Sequence, residues 1–313
     1  MRVLVTGGSG FIGSWIIHEL CRRGIEPRVL DVRDERSILR QIGAPADAID
    51  WRIGDISRPK DVEAAAQGCD AAIHLAGLLM PACKKDPVRG AEINLIGTLN
   101  LFEAGLRHGF RRILYTSSVG VFGPHDGGTP LPTTHYGAFK LACEGSARAY
   151  WADHQLPSIG FRPYVVYGLG RELGASAGAS LACRAAVRNE AYVIPYTGAA
   201  GMIFVQDVAR LFCEALLSEA TGAQVCNLAG STASVDDVIH AIERRYPTAR
   251  ISASGSPLPI ACNLTDTGLP DFACNVPMTS LQAGIDATLA HYQALEAGVG
   301  DDINTKRQIN IQN

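Results

Sequence analysis

The stretch TGGSGFIG, residues 6–13, constrains the fold of this chain more than any other segment. It follows the apolar run RVLVT (2–6) and leads into SWIIHELCRRG, where Ile16, Ile17, Leu20 and Cys21 share one side and Gly24 supplies a stop. A glycine cluster between a strand and a helix makes a turn without side chains. Backbone N–H groups at the helix start can then approach a pyrophosphate. Gly8, Gly10 and Gly13 fit one spacing of such a turn, and Gly7, Gly10 and Gly13 fit another. The backbone of Phe11 and Ile12 falls beside the phosphates in either case. Asp31 ends the second apolar run 18 residues beyond Gly13, where an acid can accept both ribose hydroxyls of an adenosine. NAD is the expected cofactor. Arg33 leaves NADP open, since a guanidinium there can pair with a 2′-phosphate. Asp55, followed by Ile56, ends a third run and reads either as a partner for the adenine amino group or as a turn residue.

Beyond the turn, short apolar runs alternate with helical periods. Strands are expected at 27–32, 50–55, 70–77, 111–118 and 158–168, with helices from Pro87 to His108 and from Tyr136 onward. Such alternation predicts an α/β, doubly wound parallel sheet (a Rossmann fold) covered on both faces. After Gly168 the texture becomes rich in Gly, Ala and Ser and stays irregular until about residue 201. A strand at 224–230, a helix at 235–246, a loop-rich segment at 247–278 and a last helix from about Thr279 to Glu296 follow. The expected organisation is a dinucleotide-binding domain at 1–168 plus about 203–230. A smaller, interleaved substrate domain covers 169–202 and 231–300, and 301–313 form a flexible polar tail.

Composition excludes several functions. A formal net charge of −3 and 19% charged residues give no broad footprint for nucleic acid. No apolar run is long enough to span a bilayer, and MRVLVTGGSG has no apolar signal core, so a cytoplasmic protein is expected. Nine cysteines include no CxxC pair and sit mostly among apolar neighbours, as reduced thiols filling a core do. The spacing of Cys and His predicts no metal site.

The ordered motifs TGGSGFIG, HLAG (74–77), NLIGTLNLFEAG (94–105), YTSSVGVFG (115–123), YGAFK (136–140) and RPYVVYG (162–168) resemble the extended short-chain dehydrogenase/reductases, the branch with the nucleotide-sugar epimerases and dehydratases. The resemblance implies that Ser118, Tyr136 and Lys140 are catalytic. It also implies that Leu75, Ala76, Gly77, Asn94, Tyr136 and Lys140 help hold the cofactor, with Asn94 propping its site. The chemistry is intelligible in itself. Oxidation of an alcohol requires loss of its proton, a phenol is a poor base near neutral pH, and a neighbouring ammonium favours phenolate. Ser118 would orient the substrate oxygen, Ser117 would be secondary, and His74 would be a packing residue.

Departures from the family pattern bear on the substrate. TSSVGVFG lacks the acids of a dehydratase. Val165 and Ala200 stand where nucleotide-sugar members place an Asn and an Arg that hold the diphosphate. A small hydroxylated substrate, such as a sugar or sugar acid, is therefore expected. Leu79 in LLMP (78–81), Ser118, Tyr164 and Arg171 are expected to contact it, with Arg171 and Arg184 as candidates for a carboxylate. The alternatives are a sugar or nucleotide-sugar epimerase with tightly held NAD, or a binding protein that senses the dinucleotide. A homodimer is expected through the helices that begin near Pro87 and Tyr136.

Overall fold

The structure is a computed structural model. It describes residues 1–124, 128–261, 272–274 and 276–309, the stretch 298–309 as backbone only. The first half alternates strands and helices: β1 (Arg2–Thr6), α1 (Phe11–Arg22), β2 (Glu26–Asp31), α2 (Ser37–Gln41), β3 (Asp50–Ile53), α3 (Pro59–Ala66), β4 (Ala71–His74), α4 (Met80–Lys85), α5 (Pro87–Ala91), α6 (Gly97–His108), β5 (Ile113–Thr116), α7 (His135–His154) and β6 (Ser158–Pro163). The second half adds β7 (Val165–Tyr167), α8 (Gly178–Val187), β8 (Ala191–Ile194), β9 (Ala199–Phe204), α9 (Val205–Leu217), β10 (Ala223–Leu228), β11 (Ser231–Ser234), α10 (Val235–Arg245), β12 (Arg250–Ala253) and α11 (Leu281–Ile309).

Seven strands form the main sheet in the order β10-β6-β5-β4-β1-β2-β3, and all its pairings are parallel. Both faces are covered, as the runs of apolar residues require. Val3 and Val5 point into a cluster with Ile16 and Ile17 of α1 and Phe212 of α9. Leu4, between them, points to the opposite cluster with Val62 of α3 and Phe102 of α6. The chain reverses direction across the sheet between β1 and β4. The crevice beyond the carboxyl ends of these two strands is where an open α/β sheet takes its ligand.

Four expectations change. The single strand expected at 158–168 is two. Pro163 offers no N–H to a ladder and ends β6, after which β7 leaves the main sheet to pair with β9 in a three-stranded sheet. Residues 165–167 therefore belong with the smaller sheet rather than the dinucleotide-binding part. The helix expected at 87–108 is continuous but passes through a π turn at Glu92–Ile96. The irregular stretch after Gly168 contains α8, whose Ala179, Ala182, Cys183, Ala185 and Ala186 are buried. Small residues pack closely but show little hydrophobic contrast in a sequence. Finally, α11 continues past Glu296 to Ile309, since no proline follows to stop it. Residues 310–313 of the expected tail lie outside the described residues.

The two parts share a core. Val3, Ile16 and Phe161 belong to one buried cluster with Tyr167, Ile194, Ile251 and Tyr292. Cys69, Cys83, Cys143, Cys183, Cys213 and Cys226 are buried, whereas Cys274 is exposed, contrary to a filler role. Cys262 lies outside the described residues. No helix among the described residues is long and apolar enough to cross a membrane.

Candidate active site

A cavity of about 760 Å³ opens at the carboxyl ends of the central strands. At one end it is lined by Gly7, Ser9, Gly10, Phe11, Ile12 and Gly13. Gly7 adopts φ of 73°, in the left-handed region that favours glycine. A Cβ on Gly7 would stand 2.7 Å from the Ala76 nitrogen, and one on Gly13 would stand 2.4 Å from the Gly7 carbonyl oxygen. A Cβ on Gly10 would also meet the Gly7 carbonyl oxygen, at 3.2 Å, and one on Gly13 would meet Gly8 Cα at 3.0 Å, so both spacings close on the same turn. Gly10 caps α1 without any side-chain hydrogen bond, so the helix start presents bare backbone, a fit for a pyrophosphate.

Asp31 is held against this turn. Its Oδ2 accepts from the Ser9 amide at 3.0 Å and from Ser9 Oγ at 2.7 Å. Ser9 was not anticipated, and its place inside the glycine cluster was the only signal for it. Arg33, Ser37, Ile38 and Gln41 continue the lining beside it. Asp55 and Ile56, like Asp31, Ala76 and Asn94, are not among the lining residues. The Asp55 carboxylate accepts from Ser57 at 2.7 Å and from Arg89 at 2.6 Å. Burial pushes its pKa up, but these bonds outweigh that and hold it below the usual carboxylate range. Ile56 is packed beneath Gly97 of α6. The turn-residue reading of Asp55 is the one its contacts match.

Leu75 and Gly77 line the middle of the cavity. The Leu75 and Ala76 amides each lie 3.3 Å from Thr6 Oγ1 and donate to it, which ties this segment to the end of β1. Asn94 stands behind it in the π turn. Its Oδ1 accepts from the Leu78 amide at 2.7 Å and its Nδ2 donates to the Leu78 carbonyl at 3.0 Å. A Cβ on Gly77 would meet that same Oδ1 at 2.7 Å. Asn94 is thus a prop for the strand end. His74 is buried between Thr6, 2.6 Å from Nδ1, and Thr98, 2.9 Å from Nε2. Burial, and then the Lys140 charge, lower its pKa to about 3, so it is a neutral packing group.

The catalytic candidates come together at the other end, where Ser118, Tyr136 and Lys140 all line the cavity. Ser118 follows β5 and accepts from the Gly120 amide at 3.0 Å, opening a short 3-10 turn. Thr134 caps α7 by accepting from the Gly137 amide at 3.1 Å, so Tyr136 and Lys140 rise from the first turns of a fixed helix. What brings phenol to hydroxyl is a pair of glycines. A Cβ on Gly137 would stand 2.3 Å from the Gly120 carbonyl oxygen, and one on Gly120 would be 3.8 Å from the Tyr136 ring. Lys140 is buried, donates to the Thr116 carbonyl at 2.7 Å and stands 5.8 Å from the centre of the Tyr136 ring. Ser117 turns the other way. Its Oγ donates to buried Glu144 at 2.5 Å, and Arg162 donates to the same carboxylate at 2.7 and 2.5 Å. Glu144 was missed because an acid on a helix reads as solvated.

The remaining wall comes from several segments. Leu78, Leu79, Met80 and Pro81 face it, as do Tyr164 and Val165, the loop Gly170–Ser176, and Leu258, Pro259 and Ile260. Arg171 lies in this wall, with its guanidinium carbon 5.9 Å from the Phe11 ring centre. Arg184 does not, being spent on Glu172 at 2.7 Å. The 258–260 stretch falls in a segment whose sequence reads only as loop.

The parallel sheet thus carries a glycine turn at its switch point, with a serine, a tyrosine and a lysine on the same cavity. The family description "NAD dependent epimerase/dehydratase family" matches residues 3–229, and the chain belongs to that family. Among curated proteins it is 31% identical over 191 residues to human (Homo sapiens) 3 beta-hydroxysteroid dehydrogenase type 7, covering 54% of this chain and 51% of that protein. It is 32% identical over 176 residues to UDP-glucose 4-epimerase of Azospirillum brasilense, covering 53% of this chain and 49% of that one. The chain thus spans about half the length of these curated relatives. Among solved structures, the UDP-glucose 4-epimerase of Thermus thermophilus in complex with NAD superposes with a TM-score of 0.79 at 25% identity, covering 94% of this chain and 99% of that one.

Proposed function

We propose that this chain is an NAD-dependent oxidoreductase that transfers a hydride on a small hydroxylated substrate, a sugar or sugar acid, with Tyr136 as general base. The reading is carried by one observation: the bare glycine turn and the Ser118, Tyr136 and Lys140 side chains line a single cavity. NAD, held on the glycine turn, would supply the hydride acceptor. Ser118 hydrogen-bonds the reacting oxygen, and the Tyr136 phenolate takes its proton as the carbonyl forms. Lys140 places a positive charge beside the phenol, and Asn94 keeps the strand end in register behind the cofactor.

Val165 is buried in the cavity wall and Ala200 is buried in β9. Neither side chain can hydrogen-bond a diphosphate, which favours a smaller substrate over a nucleotide sugar. The test is a titration with NAD and NADP, followed by a screen of aldonic acids, uronic acids and sugar alcohols for net cofactor reduction. NAD binding with turnover of a panel member is expected. Stoichiometric NAD that survives purification, with interconversion of UDP-hexoses and no net reduction, would identify an epimerase instead. Dinucleotide binding with no turnover of either kind would leave a sensor. The enzyme is also assigned to the cytoplasm, where free thiols such as Cys143 and Cys183 stay reduced. It is assigned as a homodimer through the faces where Val88 and Ile96 are 71% and 44% exposed. Light scattering on the purified chain checks the dimer.

A further inference from the structure

Among the arginines near the cavity, Arg162 is satisfied by Glu144 at 2.5 Å and Arg184 by Glu172 at 2.7 Å. Arg33 lines the cavity and has no ion pair among the described residues, but it is exposed. Arg171 is different. Its Nη2 donates to Ser176 Oγ at 3.1 Å, its Nε is buried without an acceptor, and it has no ion-pair partner among the described residues. A guanidinium carries five N–H donors and keeps its charge. Leaving the Nε donor buried and unmade costs stability, so a native fold tolerates it where something else supplies the acceptor. The nearest acid in sequence, Glu172, is drawn off by Arg184. The loop therefore uses one arginine to keep its own carboxylate away from the other.

Position points the same way. Arg171 lines the cavity that holds Ser118 and Tyr136. Burial lowers its pKa from the ordinary arginine value, and the Tyr136 phenol is close enough to act on it electrostatically in the opposite sense. Leu79 and Leu173 stand in the same wall as Glu172 and Ser176.

We infer that Arg171 is the receptor for a carboxylate of the substrate, so that the enzyme acts on hydroxy acids in preference to neutral sugars of the same size. The inference rests on the reading under Proposed function and narrows it. The planar fork of a guanidinium takes a carboxylate through two parallel hydrogen bonds. This fixes the distance from the acid group to the carbinol carbon presented to Tyr136. A phosphate of the cofactor has the same oxyanion chemistry, and the test must separate the two.

Calorimetry on the NAD-saturated protein with matched pairs does so: gluconate against glucitol, and glucuronate against glucose. The wild type should bind the acid of each pair about 10- to 100-fold more tightly, as expected for charge-assisted bonds in a buried site. Arg171→Gln should erase that preference, Arg171→Lys should retain part of it, and NAD affinity should stay within twofold in both. The unliganded Arg171→Gln protein should melt close to wild type, because it loses one bond to Ser176 Oγ and relieves the unmade Nε donor. No preference for acids in the wild type, or a preference that survives Arg171→Gln, overturns the inference. A tenfold loss of NAD affinity with the acid preference intact assigns Arg171 to the cofactor phosphates and overturns it as well. Failure of the wild type to bind NAD at all would be seen first, in the saturation step, and would remove the underlying reading too.

Discussion

At one end of the cavity, Gly7, Gly10 and Gly13 present backbone from a single turn. At the other, Ser118, Tyr136, Tyr164 and Arg171 arrive from segments spread between residues 118 and 171. The first end is contiguous and works through main-chain N–H groups, so its requirement is negative: no Cβ may intrude. The second works through side chains, so each group must be carried into place by packing elsewhere, such as the seat of Gly137 on the Gly120 carbonyl. Binding and chemistry should therefore fail separately when the two ends are damaged.

The sharpest separation comes from Tyr136→Phe, which removes the proposed proton acceptor and little else. Turnover should fall by about 10³-fold while NAD affinity, measured by calorimetry, stays within twofold. Retained turnover would remove the phenol from the mechanism. Next are two alanine substitutions at opposite ends. Gly137→Ala pushes a methyl against the Gly120 oxygen, 2.3 Å away in the present geometry, and should displace the phenol from Ser118 at a cost of about 10²-fold in kcat. Gly13→Ala, with its Cβ 2.4 Å from the Gly7 oxygen, should weaken NAD binding by at least about tenfold, corresponding to roughly 1.4 kcal/mol, and spare kcat at saturating NAD. Equal losses of kcat in the two variants would break the comparison.

The middle of the site gives a pH signature. His74 has a folded pKa lowered to about 3 by burial and then by Lys140, against about 6.5 for an unfolded histidine. Below pH 6.5 the unfolded chain binds a proton that the folded chain refuses, so stability falls as pH drops and the loss saturates only near pH 3. Between pH 7 and pH 5 this one residue should cost about 2 kcal/mol in a urea titration. His74→Gln should flatten the profile by about that amount. The smallest effect is expected from Ser9→Ala. Losing the 2.7 Å bond to Asp31 should weaken NAD binding by about 1 kcal/mol, fivefold or so, without touching kcat.

How much of this was legible follows the same division. The glycine turn, Asp31, the order of the first six strands and the Tyr136 and Lys140 pair are local patterns, readable because a strand, a tight turn and a helix each impose their own period. Asn94 was legible by resemblance only, and its physical role, holding Leu78 from a π turn, appears only when the helix is seen beside the strand end. Asp55 stayed open because a strand-end acid reads the same whether it meets a ligand or, as its contacts here show, Ser57 and Arg89. The 158–168 strand misled because apolar periodicity does not say which sheet a strand joins.

The chain's own order of residues determined a parallel α/β sheet, a turn that admits only glycine at Gly7, and a phenol and ammonium one helical turn apart. These depend on neighbours in sequence and on the volume of a Cβ, which are local quantities. Only the tertiary structure decided that Glu172 pairs with Arg184 and leaves Arg171 to the cavity, that the Ser117 hydroxyl is taken by Glu144 while Ser118 bonds its own turn, and that Leu258, Pro259 and Ile260 help to close the cavity. Each of those outcomes is a competition among partners far apart in the chain, settled by which charges and apolar surfaces the fold brings within reach.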